Sequence, residues 1–86
     1  SEKNMRLTAE ISFFPTHLDY KPAIKHFVRL LNEHSDICSE TFPTCTVVCG
    51  EMQRVMSAIQ SCMQRCTESF GMGVYTVKYL PDYEAI

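Results

Sequence analysis

The chain has 86 residues, of which 45% are hydrophobic and 21% charged, with a net charge of −2. These values exclude a disordered or fibrous chain, and the scattered Lys and Arg exclude a basic face for nucleic acid. No apolar run approaches the roughly 20 residues of a membrane span, so membrane insertion is not expected.

One domain over residues 1–86, with its core from about 5 to 81, is the expected organisation. A domain this small gains from oligomerisation. Ser1-Glu2-Lys3-Asn4 lacks the apolar core of a secretion signal, which points to the cytoplasm.

Met5 to Phe14 alternates like a strand. Leu7, Ala9, Ile11 and Phe13 share one face, while Thr8, Glu10, Ser12 and Phe14 share the other. Pro15 cannot donate to a ladder and is expected to end the strand. A helix follows from about Lys21 to His34, with Pro22 in its first turn and Asp19 or a neighbour as cap. Its apolar stripe comprises Ile24, Phe27, Val28, Leu30 and Leu31.

Asp36 to Phe42 and Thr44 to Cys49 read as two short strands with a turn at Pro43, the first suited to a sheet edge. A second helix runs from Glu51 to about Phe70. Gly50 is its expected N-cap and Gly71 its terminator. Val55, Ile59, Cys62, Met63 and Cys66 form its buried stripe. Met72 to Leu80 is the last strand, with Val74, Thr76 and Lys78 on one face and Tyr75, Val77 and Tyr79 on the other. Pro81 closes it.

Strand, helix, strand, strand, helix, strand is the split βαβ order. It implies a ferredoxin-like α+β domain, with two helices on one face of a four-stranded antiparallel sheet. Right-handed crossovers place the first and third strands in the centre. The covered face is expected to hold Leu7, Ala9, Ile11, Phe13, Cys45, Val47 and Cys49. The open face then carries Glu10, Ser12, Thr46, Thr76 and Lys78, with Thr8, Phe14 and Val48.

Cys45-x-x-x-Cys49 and Cys62-x-x-x-Cys66 have a spacing that zinc tolerates. One pair lies along a strand and the other along a helix, however, so buried structural thiols and no metal are expected. The odd cysteine count argues against a disulfide framework. His17, His26 and His34 are dispersed, and none neighbours a nucleophile in sequence. His17, in the loop after the first strand, reads as an exposed loop residue. No phosphate loop, dinucleotide fingerprint or metalloprotease motif occurs. The arginine-bearing loop that acylphosphatases carry after their first strand is missing. No enzyme, catalytic residue or cofactor is expected. Glu10, Ser12, Thr46 and Thr76 could orient a small heteroaromatic ligand, with Phe14 or Tyr20 stacking on it.

Ala9-Glu10-Ile11-Ser12-Phe13-Phe14-Pro15 resembles the opening strand of the YkoF-like thiamine- and hydroxymethylpyrimidine-binding domains. Asp19-Tyr20, Thr46-Val47-Val48-Cys49-Gly50, Val55, Ile59 and Thr76 extend the resemblance over about Ala9 to Pro81. It implies binding of thiamine or its hydroxymethylpyrimidine moiety, in vitamin salvage or transport rather than catalysis. Some members carry two such domains, so a homodimer is the implied equivalent. The carry-over supports Ser12, Thr46 and Thr76 as pocket residues, with Glu10, Phe14 and Tyr20 behind them. Lys78 departs from the pattern: on the pocket face it would repel a thiazolium unless Glu10 pairs with it. Glu10 stands where a neutral amide is expected. The other readings are a homo-oligomeric interaction module without a ligand, a cysteine-based redox or metal protein, and an acylphosphatase-like hydrolase.

Overall fold

The computed structural model describes residues 5–16 and 20–86, so the expectations at Ser1-Glu2-Lys3-Asn4, His17 and Asp19 lie outside the described residues. Six elements follow in chain order: β1 (Arg6–Pro15), α1 (Lys21–Asn32), β2 (Cys38–Thr41), β3 (Thr46–Glu51), α2 (Met52–Phe70) and β4 (Gly73–Pro81). The sheet order is β2-β3-β1-β4, with every neighbouring pair antiparallel. This is the ferredoxin-like α+β arrangement, with β1 and β3 in the centre as expected.

Both helices bury a narrow stripe. In α1 the buried residues are Ala23, Phe27, Leu30 and Leu31; in α2 they are Val55, Ala58, Ile59, Cys62 and Cys66. These three- and four-residue steps keep one side of each helix against the sheet. They pack on Leu7, Ala9, Ile11 and Val48 to form the core. Each fully buried Leu, Ile, Val or Phe side chain there contributes roughly 1.5–3 kcal/mol of transfer free energy.

Helix ends differ in part from expectation. The N-cap of α2 is Glu51 in an extended conformation, not Gly50, and no side chain caps it. Gly50 instead lies within β3 opposite Leu7 on the helix-facing side, where an added Cβ would lie 3.2 Å from Ile37 and 3.4 Å from Val55. Gly71 does terminate α2, with φ of 86°, a conformation that costs glycine little. The N-cap of α1 is Tyr20, also without a side-chain cap bond. Pro15 is the last residue of β1 rather than the residue after it.

The faces of β3 are the main correction. Ala9 lies opposite Val48, Leu7 opposite Gly50 and Ile11 opposite Thr46. Directly opposed residues share a face, so Thr46 and Val48 point toward the helices. Cys45, Val47 and Cys49 belong to the open face, the reverse of what their apolar character implied. In β1 and β4 the alternation follows expectation: Glu10 opposes Lys78, Ser12 opposes Thr76 and Phe14 opposes Val74.

Beyond β4 the chain reverses at Asp82, with φ of 62°, a left-handed conformation that Asp tolerates better than most residues. The amide of Asp82 donates to the Arg6 carbonyl at 2.8 Å. Thr8 Oγ1 donates to the Tyr83 carbonyl at 2.6 Å and accepts from the Ala85 amide at 3.0 Å. The tail therefore covers one end of the open face, and Thr8 and Cys49 are each only 2% exposed. No helix among the described residues is long and apolar enough to cross a membrane.

Candidate functional site

At the other end of the open face, β1, the start of α1 and the β2–β3 turn enclose a cleft of about 600 Å³. Glu10, Ser12 and Phe14 reach it from alternate positions of β1. Tyr20 and Ile24 reach it from the start of α1, and Pro43, Thr44 and Cys45 from the turn. The cleft is large enough for a heterocycle, and its walls combine aromatic surface with a few polar groups, as small-molecule sites do.

Two exposed aromatic rings supply the apolar surface, since Phe14 is 56% and Tyr20 48% exposed. Such rings gain from a partner that covers them. Among the polar groups, Ser12 Oγ donates to the Thr44 carbonyl at 3.2 Å, tying β1 to the turn. That hydroxyl keeps lone pairs to accept a further hydrogen bond. The Cys45 thiol lies 3.9 Å from Glu10 Oε2. Lys78 Nζ lies 3.3 Å from Glu10 Oε1 and forms a half-exposed ion pair with it. The Glu10 carboxylate is thus bound on one oxygen and offers the other toward Cys45 and the cleft.

Four of the seven expected site residues, Glu10, Ser12, Phe14 and Tyr20, come together here. Lys78 adjoins the cleft through Glu10 without lining it, and Thr76 lies beside it across the ladder from Ser12. Thr46 lies elsewhere. It is 6% exposed, its Oγ1 is 3.3 Å from Thr41 Oγ1, and it borders a smaller cavity of about 70 Å³ that adjoins the cleft through Phe13, Ile24, Pro43, Thr44 and Cys45. A cavity that small holds a few waters, not a heterocycle. Cys45, Thr44, Pro43 and Ile24 were not foreseen as lining residues. The alternation of β3, had Thr46 been placed inward, would have turned Cys45 outward.

Solved structures share this fold. A protein from Thermotoga maritima, provisionally described as a thiamine biosynthesis/salvage protein, aligns with a TM-score of 0.77 at 20% identity, covering 93% of this chain and 85% of its own. A hypothetical protein from Methanocaldococcus jannascii aligns with a TM-score of 0.77 at 18% identity, over 87% and 78% of the two chains. A domain of unknown function from Bacillus cereus gives 0.76 at 14% identity, over 87% and 74%. No protein-family model matches the chain, and no curated protein does. At these identities the likeness establishes the fold.

No group of three or more His, Cys, Asp or Glu among the described residues is arranged to hold a metal ion. Cys62 and Cys66, expected as structural thiols, are both buried in α2. Burial pushes the Cys62 thiol from 9.0 to about 11 and raises that of Cys66 as well.

Proposed function

We propose that the chain is a non-enzymatic binder of thiamine or of its hydroxymethylpyrimidine moiety, serving vitamin salvage or transport. The observation that carries this reading is the cleft that sets Phe14 and Tyr20 beside the Glu10 carboxylate and the Ser12 hydroxyl. An aminopyrimidine stacks on an aromatic ring and donates its exocyclic amine to a carboxylate, so the pairing of groups suits it. A thiamine-linked description attached to a neighbour of the same fold supports the choice of ligand class. The Glu10–Lys78 ion pair answers the charge problem that Lys78 posed, because its ammonium is held by a carboxylate rather than directed at the ligand.

Cys45 makes the cleft testable. Its thiol lines the cleft, whereas Cys38 is exposed on edge strand β2 away from it. Alkylation of the folded protein, resolved by peptide, is expected to slow at Cys45 when thiamine or hydroxymethylpyrimidine is added and to stay constant at Cys38. Unchanged alkylation of Cys45 at saturating ligand would count against binding in this cleft.

A second reading is self-association through the open face. Phe14 and Val74 oppose each other and are 56% and 48% exposed, an apolar pair that a second copy would cover. A homodimer that forms with or without ligand, together with no ligand effect on Cys45, would favour that reading alone.

A further inference from the structure

Cys38 of β2 and Cys49 of β3 occupy directly opposed positions in the ladder. We infer that they form a redox-active dithiol that closes to a cross-strand disulfide when the folded protein meets a small-molecule disulfide such as oxidised glutathione. This inference does not depend on the ligand proposed above.

Opposed residues of an antiparallel pair have Cα atoms about 4.5–5.5 Å apart, inside the 4.4–6.8 Å that a disulfide spans. Their Cβ atoms, about 4.5–5.5 Å apart in such pairs, sit at or beyond the upper limit for the bond. A disulfide here is therefore strained and readily reduced, the property of reversible rather than structural bridges. No other pairing competes. Cys45 lies four residues before Cys49, about 13 Å along the strand at the usual rise. Cys62 and Cys66 lie on the buried stripe of α2, beneath the opposite face of the sheet.

The two thiols are unequal in access, as attacking and resolving thiols need to be. Cys38 is exposed, while Cys49 is buried beside Thr8, with Thr8 Oγ1 3.6 Å from its sulfur and the chain's tail above. Cys38, as thiolate, attacks one sulfur of glutathione disulfide. The S–S bond breaks, a mixed disulfide forms on Cys38, and one glutathione thiolate leaves and takes up a proton. Cys49 then loses its proton and attacks the Cys38 sulfur, expelling the second glutathione. Two protein thiols are oxidised, and one glutathione disulfide is reduced to two thiols. The product ties edge strand β2 to central strand β3.

The test is equilibration of the folded protein in glutathione redox buffers, followed by acid quench and alkylation. The chain has five cysteines, and the expected oxidised form keeps three free thiols and carries no bound glutathione. Cleavage after glutamate separates Cys38 from Cys49 across Glu40. It should give a linked peptide pair, assigned by tandem mass spectrometry and lost on reduction. Cys38→Ser is expected to abolish the link. Cys49→Ala is expected to accumulate glutathione on Cys38. A stable glutathione adduct on Cys38 of the unmodified protein, a link to Cys45, or no loss of thiols would each overturn the inference.

Discussion

Glu10 and Lys78 face each other across the β1–β4 ladder, with Lys78 Nζ 3.3 Å from Glu10 Oε1. The pair places a neutralised lysine beside the cleft and leaves one carboxylate oxygen directed toward it. Removing the lysine should free the full negative charge for a cationic ligand. Lys78→Ser is expected to strengthen thiamine binding roughly two- to five-fold, the scale of an exposed ion pair, and to leave the neutral pyrimidine nearly unchanged. Parallel titrations with both ligands check this, and equal changes in the two would contradict it.

Phe14 stands 56% exposed at the cleft wall. Phe14→Ala removes its stacking surface, worth about 0.5–1.5 kcal/mol for an aromatic pair. Affinity should fall by roughly two- to twelve-fold. Fold stability should hardly move, because the ring is more than half exposed on the sheet face opposite the helices; a thermal melt of the variant gives that comparison.

Thr46→Val is expected to leave ligand affinity unchanged, because Thr46 points under the sheet at Thr41 rather than into the cleft. Its effect should fall on stability alone, within about 0.5–1.5 kcal/mol, the net worth of one hydrogen bond. Urea unfolding measures the stability change. A loss of ligand affinity without a change in unfolding would place Thr46 in the site after all.

The need for alternation explains both what the sequence made legible and what it hid. In β1, Leu7, Ala9 and Ile11 are apolar and their neighbours Thr8, Glu10 and Ser12 polar, so the inward face was plain. In β3 the residues Thr46, Val47, Val48, Cys49 and Gly50 are small or apolar on both sides. The end of the open face near Cys49 is covered by the tail, so burial there makes no distinction between the faces. Pairing with Thr41 lets a threonine sit inward at position 46, and only register reveals it. The tail was also hidden, since Pro81 and its acidic successors read as a strand end. Its return depends on the left-handed Asp82 and on bonds to Thr8, a residue more than 70 positions away. Glu10, Ser12, Phe14 and Tyr20 were legible because strand period and position at the helix start bring them to one end.

Gly73 lies in β4 opposite Pro15, where a Cβ would collide with the Phe13 ring. That ring is stacked on Tyr75 at 4.3 Å and packed on Phe27 at 5.5 Å, so turning it aside would disturb both aromatic contacts. Gly73→Ala should destabilise the fold by about 1–3 kcal/mol through overpacking. Denaturant unfolding would show it; an unchanged midpoint would mean that the Phe13 stack yields freely.

Burial raises the thiols of Cys62 and Cys66 and the phenol of Tyr75 above their ordinary values. The folded state therefore holds these protons more tightly than the unfolded state. Their contribution to stability is complete below about pH 9, where the unfolded thiols are protonated. It declines as pH rises through 9.0 toward about 11, the range set by Cys62. Unfolding free energy measured from pH 8 to pH 11 should fall over that window. A Cys62→Ala variant should show a shallower decline, and an identical slope would remove Cys62 as a contributor.

Calorimetric titration of the protein with thiamine and, separately, with hydroxymethylpyrimidine tests the central claim most directly. Saturable binding of one ligand per chain in the micromolar range is the predicted result, weakened by Phe14→Ala and untouched by Thr46→Val. No heat and no thermal stabilisation with either ligand would contradict it and leave the open face to a second copy of the chain.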